Sequence, residues 1–179
     1  MRYRTLAAVL LAVVAVLASG ACDDDNDNPL SPSPPNNTFT FTSMLLPSNE
    51  VPPVTNADAS GSGTVTVRLD VTRDAAGSIT GGSADFTVNL SGFPAGTVLT
   101  GAHIHQAPAG QNAGIAVNTG LGNGEVTLAN GSGSFTKENV NVTAALANAM
   151  VSGPSGFYFN VHTTVNPGGA VRGQLTLQQ

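Results

Sequence analysis

Residues 62–72 read SGTVTVRLDVT. Val65, Val67, Leu69 and Val71 alternate with Thr64, Thr66, Arg68 and Asp70. Successive side chains of a strand point to opposite faces, so this alternation gives one aliphatic face and one polar face. Asp74-Ala75-Ala76-Gly77 follows as a turn signal. Residues 83–90 resume the pattern with Ala84, Phe86, Val88 and Leu90 on the inner face. The two segments predict an antiparallel hairpin buried on one side.

The same period extends outward from this hairpin. Upstream it begins at Thr38, with Phe39, Phe41, Ser43 and Leu45 sharing a face. Downstream, residues 98–106, 114–118, 124–128, 133–136, 157–165 and 170–177 read as further strands, separated mostly by Gly, Asn and Pro clusters. One segment departs: 140–150, VNVTAALANAM, is Ala-rich, with Val142, Leu146 and Met150 on one helical stripe and Asn141 or Thr143 placed to cap it. The expected fold is all-β, an antiparallel sandwich or barrel with one short helix.

Composition narrows the function. The chain has 179 residues, of which 41% are hydrophobic and 9% charged, so one domain with a substantial core is expected. A single Cys excludes an internal disulfide framework and any multi-Cys metal site. Six basic residues against eleven acidic ones lack the electrostatic footprint of a nucleic-acid binder.

The N-terminus reads as an address. Arg2 and Arg4 precede an unbroken apolar run over 6–17, followed by Ala18, Ser19, Gly20, Ala21 and Cys22. This is the pattern of a signal peptide over 1–21; the run falls well short of the about 20 residues that a membrane span needs. Leu17-Ala18-Ser19-Gly20-Ala21-Cys22 resembles a lipobox, with Ser19 where Leu is usual; Ser19 and Ala21 also suit ordinary signal peptidase. Residues 22–37 then form a lipidated Cys22 and a tether. DDDNDNPLSPSPPNN over 23–37 is too polar and Pro-rich to fold, and its Asp run reads as a solvated spacer rather than a calcium site. Without Arg2 and Arg4 the chain carries four basic and eleven acidic residues, net −7. The expectation is an exported protein anchored in the periplasm or on the cell surface, its β-domain spanning 38–179.

Three His stand out. His103 and His105, in GAHIHQ, are two apart and so share a strand face, opposite Ala102 and Ile104. His162, in FYFNVHTT, lies opposite the apolar Phe157, Phe159 and Val161, beside Tyr158 and Asn160. If the two strands are neighbours the imidazoles converge. Three His with an open fourth position is a known arrangement for zinc, and imidazole suits copper as well. The alternative is structural: these His bond loop carbonyls and hold the Gly-rich loop at 107–124. No nucleophile–base pair, phosphate loop or paired carboxylates accompany them.

Three separated stretches carry a family resemblance. LLPSNEVPPVTNADASGSGTV (45–65), GAHIHQAPAGQNAGIAV (101–117) and FYFNVHTTVNPGGAVRGQL (157–175) resemble, in order, the opening, middle and closing motifs of the chordin-type (CHRD) domain. The resemblance covers about 38–178. It implies a secreted binding or surface-structural module, since such domains in chordin are associated with binding secreted signalling proteins, and others occur in exported bacterial proteins. A more distant resemblance is to Cu/Zn superoxide dismutase. His103-Ile104-His105 is similar to its paired copper ligands, and His162 with Gly168–Gly173 to its last copper ligand and active-site arginine. It implies an immunoglobulin-like Greek-key barrel and a metal site of His103, His105 and His162 holding Cu or Zn. The further zinc His and the disulfide are missing from this chain, which sets dismutation in doubt. Arg172 then reads either as an anion-steering guanidinium or as an Arg bonded to a backbone carbonyl or to Glu50. Glu50 reads as a loop anchor or a fourth ligand. The leading expectation is a non-enzymatic envelope module that binds a protein or other envelope ligand; the competing one is a metal-binding or redox protein.

Overall fold

A computed structural model describes residues 35–178; the leader, Cys22, residues 23–34 of the tether and Gln179 lie outside the described residues. β1 (Thr38–Leu45), β2 (Ser62–Arg73) and β3 (Ile79–Ser91) pair antiparallel as a meander. Val65, Val67 and Leu69 of β2 and Ala84, Phe86 and Val88 of β3 are buried, while Thr64, Thr66 and Arg68 are exposed. The chain continues through β4 (Thr97–His105), β5 (Ile115–Asn118), β6 (Thr127–Leu128) and β7 (Gly133–Thr143). After α1 (Ala144–Ser152) come β8 (Tyr158–Thr163), β9 (Val171–Gln174) and β10 (Thr176–Leu177).

Two antiparallel sheets result. One has the order β10-β1-β2-β3-β7; the other runs β5-β4-β8-β9, with β6 on the opposite end of β4 from β5. Their inner faces form one core, in which the rings of Phe86 (β3) and Phe159 (β8) stack with centroids 5.9 Å apart. Each such fully buried side chain contributes roughly 1.5–3 kcal/mol relative to exposure. The described residues therefore form an antiparallel β-sandwich with one α-helix. Among the described residues no helix is long and apolar enough to cross a membrane.

The sheets meet at one corner. Leu46 and Arg172 exchange backbone hydrogen bonds at 3.0 and 3.3 Å, joining the end of β1 to β9. Gly173 permits this approach, because a Cβ there would collide with the Met44 carbonyl. The segment 170–177, expected as one strand, is thus two strands in different sheets. The chain turns at the buried Leu175, whose N–H donates to the Phe157 carbonyl at 2.9 Å.

The helix begins later than its sequence stripe suggests. Residues 140–143 remain in β7, pairing with Gly81–Ala84 of β3 and placing Val142 in the core. The β-branched Val140, Val142 and Thr143 fit the pleated surface better than a helix. A bulge opposite Ala84–Phe86 accommodates Asn139 at φ 57°, its N–H held by Asp85 Oδ1 at 2.8 Å. Thr143, not Asn141, caps the helix: its hydroxyl accepts from the Leu146 N–H at 3.4 Å, and the buried stripe is Ala147 and Met150. At the other end of the domain, Asn36 and Asn37, read as the end of the tether, already bond β2. The Asn37 carbonyl accepts from the Val71 N–H at 2.8 Å, and Arg73 donates to Asn37 Oδ1 and the Asn36 carbonyl.

Candidate metal centre

β4 and β8 are direct neighbours. Their register sets Gly101 opposite His162, His103 opposite Asn160 and His105 opposite Tyr158. Residues directly opposite in an antiparallel pair share a face. Arg172 on β9 extends the His103–Asn160 row, and Gln174 the His105–Tyr158 row. Ala102, Ile104, Phe159 and Val161 fill the core on the other face. The expected alternation thus brings all three His to one face of one sheet.

That face is not open to solvent throughout. His105, Tyr158, Asn160 and Arg172 are buried, and His103 and His162 half-buried. Two segments cover it: the strap at 46–60 and the loop at 106–114. They are tied together by Asn112 Nδ2 to the Val51 carbonyl at 2.8 Å, and by Arg172, which donates to the Asn49 and Gln111 carbonyls at 2.7 and 3.1 Å.

Each His offers a ring nitrogen, and the three nitrogens lie within 4.8 Å of one another. His103 Nδ1 is 3.0 Å from His162 Nε2. His162 Nδ1 faces the Pro167 carbonyl at 2.9 Å, and His105 Nδ1 the Ala113 carbonyl at 2.9 Å. A carbonyl only accepts, so both Nδ1 atoms carry the proton, which leaves Nε2 of each neutral ring as the lone-pair donor. This is the orienting bond that metal-binding His generally make. His105 Nε2 sits 3.0 Å from Asn160 Oδ1. A neutral imidazole supplies one N–H and cannot donate to both oxygens; a reversed Asn160 carboxamide, a doubly protonated ring or a cation at Nε2 each resolves the conflict.

Burial favours the neutral forms of His103 and His162. Burial, with His162 and His105 alongside, lowers His103 from 6.5 to about 4. Burial also lowers His162, against the opposing pull of the Pro167 carbonyl. Lone pairs are therefore available at neutral pH, as metal ligation requires. Gly101 supplies the room: a Cβ there would stand 3.0 Å from His103 Cε1, so the ring lies over the glycine that faces His162.

Arg172 and Glu50 pair beside this cluster rather than in it. Arg172 Nε lies 3.3 Å from Glu50 Oε2, and the guanidinium sits 4.6 Å from the Tyr158 ring centroid. Tyr158 in turn stacks on His105, with centroids 4.8 Å apart. Burial pushes the Glu50 carboxyl up to about 7, outweighing Arg172 and Asn160, which pull it down. Gly169, at φ +134°, closes over the pair; a Cβ there would stand 2.6 Å from Glu50 Oε1 and 2.8 Å from Asn160 Nδ2.

The sequence reading did not assign roles to Asn160, Gly101 or the Ala113 and Pro167 carbonyls. The first two were detectable, since each lies two residues from a His on the same strand face. The carbonyls belong to loops whose path no period reveals. The alternative structural role of the His is also realised in part, because His105 bonds the loop at Ala113.

The β-sandwich thus carries a three-His cluster beside a buried Arg–Glu pair. The sequence matches the CHRD domain over residues 41–175, and the chain belongs to that family. No curated protein and no solved structure matches significantly. Neither comparison supports the distant resemblance to Cu/Zn superoxide dismutase.

Proposed function

We propose that this CHRD domain is an exported, lipid-anchored envelope module that holds one copper or zinc ion through His103, His105 and His162. One observation carries the reading: three imidazoles converge on one sheet face, two of them oriented by N–H bonds to backbone carbonyls. The ligand atoms would be His103 Nδ1 and the Nε2 atoms of His105 and His162. Both metals accept imidazole, copper supplying one-electron chemistry and zinc a Lewis acid. Around that centre the protein's own groups orient the rings.

The test uses the domain purified without an affinity tag and titrated with Cu²⁺ and with Zn²⁺. One equivalent should bind to the wild type, and His103→Ala, His105→Ala and His162→Ala should each lose tight binding. Binding unchanged in all three variants, or none in the wild type, overturns the reading.

A second reading, a metal-independent binding module, is supported by a cleft of about 480 Å³ between the strap and the loop, lined by Ser48, Asn49, Glu50, Val51, Ala109 and Gln174 among others. That volume suits a small ligand or a peptide side chain. Anchoring has its own test. Cys22→Ala should release the domain as a soluble exported protein or leave the signal uncleaved, and a wild type found unlipidated and free in the medium contradicts it.

A further inference from the structure

We infer that Asp58, 45 residues before the first of the three His in the chain, is a positioning residue for His162. The inference rests on the metal reading for its binding arm only. His162 is oriented by the Pro167 carbonyl, and Pro167 lies in the turn that leaves β8. Something must hold that turn, because Thr164, Val165, Pro167 and Gly168 are exposed and contribute no core packing.

Asp58 does so from beneath. It is fully buried, and its Oδ2 accepts from the Thr163 hydroxyl and from Asn166 Nδ2, both at 2.6 Å. The Thr163 hydroxyl accepts in turn from the Asn166 N–H at 2.9 Å, so one carboxylate oxygen fixes both ends of the 163–166 turn. Asn166 is tied again by a reciprocal carboxamide pair with Asn56, at 2.8 and 3.1 Å. Asn56 Oδ1 also caps the short 3-10 turn Ala57–Ser60 by accepting from the Asp58 N–H at 3.1 Å. The Asn166 carbonyl accepts from the N–H groups of Thr163 and Gly169, at 3.2 and 3.1 Å. All four polar groups of Asn166 are thus occupied, and the next residue is Pro167.

The consequence is chemical as well as structural. With the Pro167 carbonyl in place, His162 keeps its proton on Nδ1 and presents Nε2 to the centre. Once the turn is loosened, the ring is free to change tautomer and to turn the wrong nitrogen inward. Partners outside the ligand set typically govern metal affinity in this way.

Two readouts test this, one of them independent of metal. Long-range ¹H–¹⁵N NMR of the imidazoles in chelator-treated protein should show His162 as the Nδ1–H tautomer in the wild type. Asp58→Ala and Asn166→Ala should show a mixture, with Cu²⁺ affinity lower by about tenfold. Asp58→Asn retains one acceptor oxygen and should fall between. Thr143→Ala, which weakens a helix cap elsewhere, should leave the tautomer unchanged and so controls for stability. Asn166 is only half-buried, so Asn166→Ala keeps the test open should Asp58→Ala fail to fold. Variants that fold, keep the Nδ1–H tautomer and bind Cu²⁺ like the wild type overturn the inference. If the wild type binds neither metal, the metal reading falls, and the tautomer alone decides the role of Asp58.

Discussion

His103 Nδ1 and His162 Nε2, 59 residues apart in the chain, stand 3.0 Å from each other. His162 has given its proton to the Pro167 contact, so the bond between the rings is donated by His103. An ion taking the two nitrogens replaces that bond, and His103 answers by moving its proton to Nε2. The site needs no net loss of charge from these two rings to load.

Gly101 controls that contact. Gly101→Ala asks the His103 ring to yield by a few tenths of an ångström, given the 3.0 Å approach. Gly101→Val adds two methyls and about 1–3 kcal/mol of overpacking, relieved if the ring swings outward. Metal affinity should fall at least about tenfold in the Val variant, with a smaller change in the Ala variant. Calorimetric titration of both checks the order, and equal affinities contradict it.

The pH dependence of stability carries two opposed signatures. His103 is depressed to about 4 from 6.5, so its contribution is full above 6.5 and is lost as pH falls toward 4; His162 adds the same sign. Glu50 is raised to about 7 from 4.5, so its contribution is full below 4.5 and is lost as pH rises through 7. In metal-free protein, Glu50→Gln should show stability rising with pH between 4 and 6.5. A variant lacking the half-buried rings, His103→Ala/His162→Ala, should show it falling between 4.5 and 7. Urea denaturation across that range measures both, and profiles that match the wild type would refute the assignment.

Arg172 holds a strained balance. Removing it leaves Glu50 buried beside unpaired Asn49 and Gln111 carbonyls. Breaking a buried pair from one side costs about 3–5 kcal/mol, whereas replacing both partners is often nearly neutral. Arg172→Met should therefore be strongly destabilising, and Glu50→Gln/Arg172→Met much less so than the sum of the single changes. A double-mutant cycle that proves additive would show that the two residues do not act as a pair.

Much of this was legible in the chain. Alternation at 62–72 and 83–90 identified the central hairpin, because a half-buried strand writes its period directly into the sequence. Alternation likewise put His103 and His105 on the polar face of one strand and His162 on that of another; that the two strands are neighbours is what the fold adds. Three features escaped. The strand at 140–143 was masked by the Ala-rich helix that follows, since Val142 fits either period. The break at Leu175 depends on the two sheets meeting at a corner, which no local pattern encodes. Asp58 and Asn166 meet across 108 residues of chain; each is an ordinary loop residue until the fold brings them together.

The central claim is a three-imidazole centre, and X-ray absorption on the loaded, untagged domain tests it most directly. One equivalent of zinc or copper should show three imidazole nitrogens, at about 2.0–2.1 Å in the zinc form, with one imidazole lost in each of His103→Ala, His105→Ala and His162→Ala. A first shell of oxygen ligands alone, or a shell that the three substitutions leave unchanged, would contradict it.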